Sequence, residues 1–243
     1  MKQNKYDDAN FFSEYAKMAR SVKGLEGAGE WHVLKEMLPD LHNKSILDLG
    51  CGYGWHCRYA REQQARCVIG VDLSKKMLHK ARELTNDDAI SYIRIPIEDI
   101  EFENNQFDLV ISSLALHYVE GFEAICQKVF ECLKPGGSFV FSVEHPIFTS
   151  RNEQDWQYDD EGNRLHWAVD NYQTEGFRDT TFLTDSVIKY HRTFSTYIND
   201  LLKSGFMIKQ VNEPLPSKEM LESIPEMNDE LRRPMFLIIS AEK

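Results

Sequence analysis

Seven residues, Asp48-Leu49-Gly50-Cys51-Gly52-Tyr53-Gly54, carry the types and spacing for ligand chemistry. The apolar run Ser45-Ile46-Leu47 before them reads as a buried strand, and Trp55 to Gln64 after them reads as a helix. A glycine turn between strand and helix lets the backbone bend sharply and lets a ligand press against the main chain. The helix start adds unpaired N–H groups and a partial positive charge. A second strand, Arg66 to Asp72, ends in an acid 72 − 50 = 22 residues after Gly50. That offset suits a carboxylate accepting hydrogen bonds from a ribose diol in a nucleotide-binding βαβ unit.

Two ligand classes use such a turn. A dinucleotide site wants G-x-G-x-x-G, with pyrophosphate seated on the helix end. Here the spacing is G-x-G-x-G, and Asp48 stands two residues before the first glycine. A carboxylate there repels pyrophosphate and suits a ligand that carries an ammonium group. Further motifs follow: Ile97-Glu98-Asp99-Ile100-Glu101-Phe102, Gln106-Phe107-Asp108-Leu109-Val110, Ser112-Ser113-Leu114-Ala115-Leu116-His117-Tyr118, and Leu133-Lys134-Pro135-Gly136-Gly137. Together with the glycine turn, these make Asn43 to Phe148 resemble the class I S-adenosylmethionine-dependent methyltransferases, in particular the small-molecule branch called methyltransferase type 11.

The resemblance implies S-adenosyl-L-methionine as cofactor, bound by Asp48, Gly50, Cys51, Gly52 and Gly54 of the turn, and by Asp72, Leu73 and Met77 after the second strand. It places Ile97, Glu98 and Asp99 at the adenine. The family often has an acid where this chain has Pro96, so the amino contact falls to Glu98, Asp99 or water. Ser112 and Leu114 fall beside the methionine moiety. The family caps its cofactor with N-terminal helices, so Tyr15 and Arg20 are candidates to close over it; Arg20 is either a partner for the methionine carboxylate or a surface arginine. Asp108 and the Pro-Gly-Gly turn read as turn chemistry.

Methyl transfer from a sulfonium needs alignment and water exclusion, and a general base only where the nucleophile must lose a proton. His117 and His145 are the catalytic candidates, with His191 behind them; each is otherwise a structural histidine. The rival readings are a non-catalytic S-adenosylmethionine-binding regulator and a nicotinamide dehydrogenase, the second disfavoured by Asp48 and the glycine spacing.

The surrounding elements form an α/β pattern. Strands at Ile90 to Ile95, Phe107 to Ser112 and Ser138 to Val143 alternate with helices at Lys75 to Leu84, capped by Ser74, and Phe122 to Leu133. This predicts a doubly wound, mostly parallel sheet, seven-stranded in the family, within one domain over 1–243. Residues 1–40 read as an N-terminal helical cap. Residues 144–185, rich in Asp, Asn, Trp and Tyr, show little periodicity and read as an insertion or lid after strand five, expected to cover the acceptor pocket with His145 at its wall. Its Trp156, Tyr158, Trp167 and Tyr172 either line that pocket or form the insertion's own core. A helix from Tyr190 to Lys203 and strands at Phe206 to Val211 and Met235 to Ser240 close the chain.

The 243 residues are 42% hydrophobic and 28% charged, enough for a sizeable core, with a net charge of −11 that disfavours nucleic acid and anionic membranes. No segment approaches the ~20 apolar residues of a membrane span, and the polar start Met1 to Asn10 is unlike a signal peptide. Five cysteines without a C-x-x-C pair fit reduced thiols in a cytoplasmic protein rather than a metal or disulfide framework. The expected partner is a small-molecule methyl acceptor. Oligomeric state is not legible.

Overall fold

The computed structural model describes residues 3–243; Met1 and Lys2, where the expected cap begins, lie outside the described residues. Strands β1 (Ser45–Leu49), β2 (Cys67–Asp72), β3 (Ile90–Arg94), β4 (Phe107–Ser113), β5 (Leu133–Glu144), β10 (Met207–Asn212) and β11 (Phe236–Glu242) form one sheet in the order β10-β11-β5-β4-β1-β2-β3. The five strands from β5 to β3 are parallel, and β11 runs antiparallel to both its neighbours. This is the Rossmann-like, doubly wound sheet the alternation predicts.

Its strands read as apolar runs because helices cover both faces, and the pleat sorts residues between two cores. Leu47, Leu49, Val110, Phe139 and Phe141 face the core that holds Tyr197 and Leu201 of α8 (Phe194–Lys203) and Ile125 and Val129 of α6 (Phe122–Cys132). Ile46, Leu109, Ile111 and Val140, each one residue out of phase, face the opposite core. There they meet Trp31 and Leu34 of α3 (Trp31–Met37), Cys57 and Ala60 of α4 (Trp55–Glu62) and Leu78 of α5 (Lys75–Glu83).

The chain turns outward in both directions from β1, to β2 on one side and β4 on the other. A crevice therefore opens beyond the carboxyl ends of β1 and β4. The N-terminal helices α1 (Ala9–Tyr15) and α2 (Ala19–Val22) precede α3, with a single helical turn, Lys5–Asp7, ahead of them.

The segment after β5 departs from its sequence reading. After the short α7 (Pro146–Thr149), residues expected to be irregular form two antiparallel hairpins. One joins β6 (Trp156–Tyr158) to β7 (Arg164–Trp167); the other joins β8 (Gly176–Phe182) to β9 (Thr184–His191). The helix expected from Tyr190 begins only at Phe194, because Tyr190 and His191 finish β9 opposite Phe177 and Gly176. The burial of β9 does alternate, with Val187, Lys189 and His191 inside. A buried lysine hid that period. Its Nζ donates to Glu144 Oε1 (2.7 Å) and Gln154 Oε1 (2.8 Å). Among the described residues no helix is long and apolar enough to cross a membrane.

Candidate cofactor and acceptor site

The crevice holds a cavity of about 700 Å³. Its floor is the turn after β1, where Gly50, Cys51 and Gly52 present their backbone. The two later glycines of the motif serve different needs. A Cβ on Gly52, at φ +52°, would meet no atom within 4 Å and would project into open space, as a cradle for a ligand requires. Gly54, at φ +72°, caps α4 and does not line the cavity; a Cβ there would strike the Tyr92 hydroxyl. The first is kept clear for a ligand and the second for packing.

Asp72 enters from the end of β2. Its Oδ2 accepts from Gly52 N (2.9 Å) and its Oδ1 from Ser74 N (2.8 Å), which aims the carboxylate and leaves lone pairs for further donors. Burial pushes its pKa up to about 6. Leu73, Met77, Ile97, Glu98 and Leu114 line the same cavity. Leu114 adopts φ +51°, a conformation costing a leucine about 1–3 kcal/mol, held by its N–H donating to the Ser142 carbonyl (3.0 Å). Arg20 also lines it. Its Nη2 donates to Glu30 Oε1 and to Ser113 Oγ, both at 3.2 Å, and Ser113 Oγ donates to the same Glu30 oxygen (2.8 Å). Glu30 is 1% exposed, so the reading of Arg20 as a plain surface arginine fails.

Three other predicted cofactor residues lie behind the wall. Asp48 sits beneath the turn, its Oδ2 accepting from the Cys57 thiol (3.2 Å), with burial pushing its pKa up to about 7. Ser112 donates to the Leu49 carbonyl (2.8 Å), tying β4 to β1. Asp99 follows Glu98 in a short helical turn and does not line the cavity.

Neither catalytic candidate reaches it. His145 caps α7: its Nδ1 accepts from Ile147 N (3.1 Å), so Nε2 carries the proton and donates to Glu213 Oε1 (2.8 Å). His117, 2% exposed, accepts from Glu144 N at 3.4 Å, and burial pushes its pKa down to about 4. His191 accepts from Thr149 Oγ1 and donates to the Tyr172 carbonyl. All three hold backbone or loops in place. No residue of 144–185 lines the cavity, against the expectation that this segment covers it. Trp167 packs edge-on to Trp156 (5.4 Å) and stacks on Phe148 (5.0 Å), and the Arg233 guanidinium lies against all three rings, so the cluster joins this segment to the C-terminal one. Tyr172 accepts from Phe194 N (3.0 Å).

The rest of the wall draws on residues outside the motifs, apart from Tyr118, which ends the Ser112–Tyr118 motif. Tyr6, Tyr15 and Tyr118 line it, with Val187, Ile188 and Tyr190 of β9. Tyr6 packs edge-on to Tyr15 (5.3 Å) and Tyr118 (6.1 Å), and the Tyr6 and Tyr118 hydroxyls lie 3.5 Å apart. Burial pushes all three phenols up, so they stay protonated.

The segment carrying Tyr6 is held at both ends. Asp7 accepts from Ser74 Oγ (2.6 Å), Lys76 N (3.0 Å) and Lys75 N (3.2 Å), a second cap on α5. Gln3 donates to Ser186 O and accepts from Ile188 N. His56, missed by sequence reasoning, also faces the cavity, its pKa pushed down to about 4 by burial and then by Arg20. Its signal was available: it is the second residue of the helix that the glycine turn opens.

The model of the methyltransferase domain matches residues 47–141. A Listeria monocytogenes structure described as an S-adenosylmethionine-dependent methyltransferase is 54% identical, covers 90% of this chain and 99% of its own, and superposes with a TM-score of 0.86. The S-adenosylmethionine-dependent methyltransferase of Mesorhizobium loti is 46% identical over 90% of this chain and 100% of its own, with a TM-score of 0.85. A malonyl-[acyl-carrier protein] O-methyltransferase of Enterobacter lignolyticus is 34% identical over 53% of this chain and 50% of its own length. With Asp72 and an open glycine turn at one end of a single cavity, and relatives this similar over nearly their whole length, the chain belongs to the S-adenosylmethionine-dependent methyltransferases.

Proposed function

We propose that this methyltransferase acts on a small-molecule acceptor, with cofactor and acceptor side by side in the one cavity. The observation that carries the reading is the cavity's mixed lining: a glycine turn with a buried carboxylate, and, packed beside them, three tyrosines with a strand wall. The Enterobacter lignolyticus relative acts on a malonyl group carried on a protein; because the match spans half of that protein, its substrate is not transferred with it.

Asp72 would accept from both ribose hydroxyls, and Glu98 and Ile97 would flank the adenine. Arg20, preset by Glu30 and Ser113, would pair with the methionine carboxylate. S-adenosylmethionine supplies an activated methyl group on a sulfonium. The chain's part is then to align the acceptor and keep water out, and the closed tyrosine layer does both. The phenols lining the cavity stay protonated and the His56 ring is too acidic to be an effective base at neutral pH. We therefore assign the role of general base to neither the phenols nor His56. Asp48 orders the turn from below, and Glu144 and Gln154 hold the strand wall β9 through Lys189.

The test is a labelled-methyl screen of metabolite pools with wild type, Tyr6→Ala and Tyr118→Ala, alongside S-adenosylhomocysteine titrations. Wild type should label a small molecule. The variants should lose most of that turnover and keep S-adenosylhomocysteine affinity. Label appearing only in macromolecules, or turnover unchanged in both variants, would overturn the assignment.

A further inference from the structure

A second cavity of about 540 Å³ adjoins the first and shares Glu120, Ile188 and Tyr190 with it. It runs along the outer face of the β8–β9 hairpin. Phe177 and Tyr190, directly paired across the two strands, both line it. Phe177 is 66% exposed, unusual for so large an apolar ring.

The charged groups around this groove are mostly consumed. Glu175 Oε1 accepts from Thr193 N, Thr193 Oγ1 and Thr196 Oγ1, closing the start of α8. Arg192 is 6% exposed and donates through Nη2 to the carbonyls of Val119 and Glu120, its guanidinium lying against Phe122 and Tyr197. The His191 ring bonds through both nitrogens. Among the described residues lining the groove, Glu120 is the charged side chain left without a partner, and it stands where the two cavities meet. The Tyr190 hydroxyl reports the local field. After burial, the carboxylates of Glu120 and Glu98 push its pKa up, and Arg192 opposes them more weakly.

A free carboxylate beside two aromatic faces is a cation-binding arrangement. An aromatic ring carries negative charge on its face, and the acid supplies the net charge. An anion in the groove would meet Glu120, while the Arg192 guanidinium is already bonded to the Val119 and Glu120 carbonyls. We propose that this groove seats an ammonium-bearing end of the methyl acceptor, while its reacting end lies against Tyr6 and Tyr118. The acceptor is then an elongated molecule with a cationic tail, its length set by the passage at Glu120, Ile188 and Tyr190. This rests on the small-molecule reading above.

Benzyltrimethylammonium is a suitable probe, with phenylacetate as the anionic counterpart of similar size. Each is titrated calorimetrically into free and S-adenosylhomocysteine-loaded protein. Benzyltrimethylammonium should bind both forms and phenylacetate neither. Glu120→Gln should weaken the cation about tenfold, equivalent to about 1.4 kcal/mol, and Phe177→Ala should weaken it several-fold, with S-adenosylhomocysteine affinity unchanged in both. Equal affinity for phenylacetate, no binding of the cation, or an unchanged constant in Glu120→Gln would overturn the groove assignment. Loss of S-adenosylhomocysteine binding by wild type would instead strike the cofactor reading, and the titration into free protein would still decide the groove.

Discussion

Gly50, Cys51, Gly52 and Asp72 reach the cavity from one βαβ unit, whereas Tyr6, Tyr118, Ile188 and Tyr190 reach it from three segments spread along the chain. The first group presents mainly backbone and one carboxylate, positioned by local geometry: a strand end, a turn, a helix start. The second presents side chains, positioned by contacts between distant segments, such as Asp7 on α5 and Gln3 on β9. The cofactor end is thus locally encoded and tolerant of what surrounds it. The tyrosine wall, where we place the acceptor, is assembled, so it can change with the segments that build it while the fold stays. Ligand affinity at the first end and turnover at the second should therefore respond to different substitutions.

Asp72→Ala offers the largest break. Losing a charged acceptor should weaken S-adenosylhomocysteine by about 2–3 kcal/mol, and Gly52→Val should do at least as much by filling the open space at φ +52°. The pH dependence sharpens the assignment. Ribose hydroxyls donate to the ionised carboxylate, whose pKa burial raises to about 6 in the free protein. Affinity in wild type should be flat above pH 7 and fall as pH drops through 6, and Asp72→Ala should lack that fall. A pH-independent wild-type affinity measured by calorimetry would remove Asp72 from the ribose.

Asp7→Ala should have a middling effect, felt chiefly through the segment that carries Tyr6. It removes the second cap on α5 and frees the segment that carries Tyr6, at about 1 kcal/mol. Hydrogen exchange should quicken in residues 5–15, and kcat/KM for the acceptor should fall roughly fivefold, the kinetic equivalent of that energy. A matching loss of S-adenosylhomocysteine affinity would show that the two ends are not separable in this way.

His145→Ala should be the smallest in activity. It deletes the cap on α7 and the contact with Glu213, costing about 1 kcal/mol and lowering Tm by about 2–4 °C. Turnover in the folded variant should stay within about twofold of wild type. A drop of a hundredfold with unchanged Tm would return His145 to the catalytic list.

The parallel sheet was legible in the sequence because its strands are short apolar runs bounded by turn residues, and their covered faces leave no other reading. Of the cofactor candidates, most of those on the cavity wall, Gly50, Cys51, Gly52, Asp72, Leu73 and Leu114 among them, lie at or just after the carboxyl end of a parallel strand. Asp48 and Ser112 fell behind the wall because each precedes the strand end, where side chains serve the sheet. The histidines were attractive by their place after β4 and β5, yet a ring that close to a strand end can as easily cap a turn, and His145 does. The β8–β9 hairpin stayed hidden because Lys189, buried at 1% exposure, broke the apolar alternation that marks a strand, and its partner Glu144 lies 45 residues away.

The sequence alone therefore determined the sheet, the glycine turn and the acid at the end of β2, since each depends on residues a few positions apart and on backbone chemistry that any environment must respect. Tertiary structure decided which side chains complete the cavity beside that turn. That depends on the Asp7, Gln3 and Lys189 pairings between segments far apart in the chain, and no local period records a contact whose two halves are separated by folding.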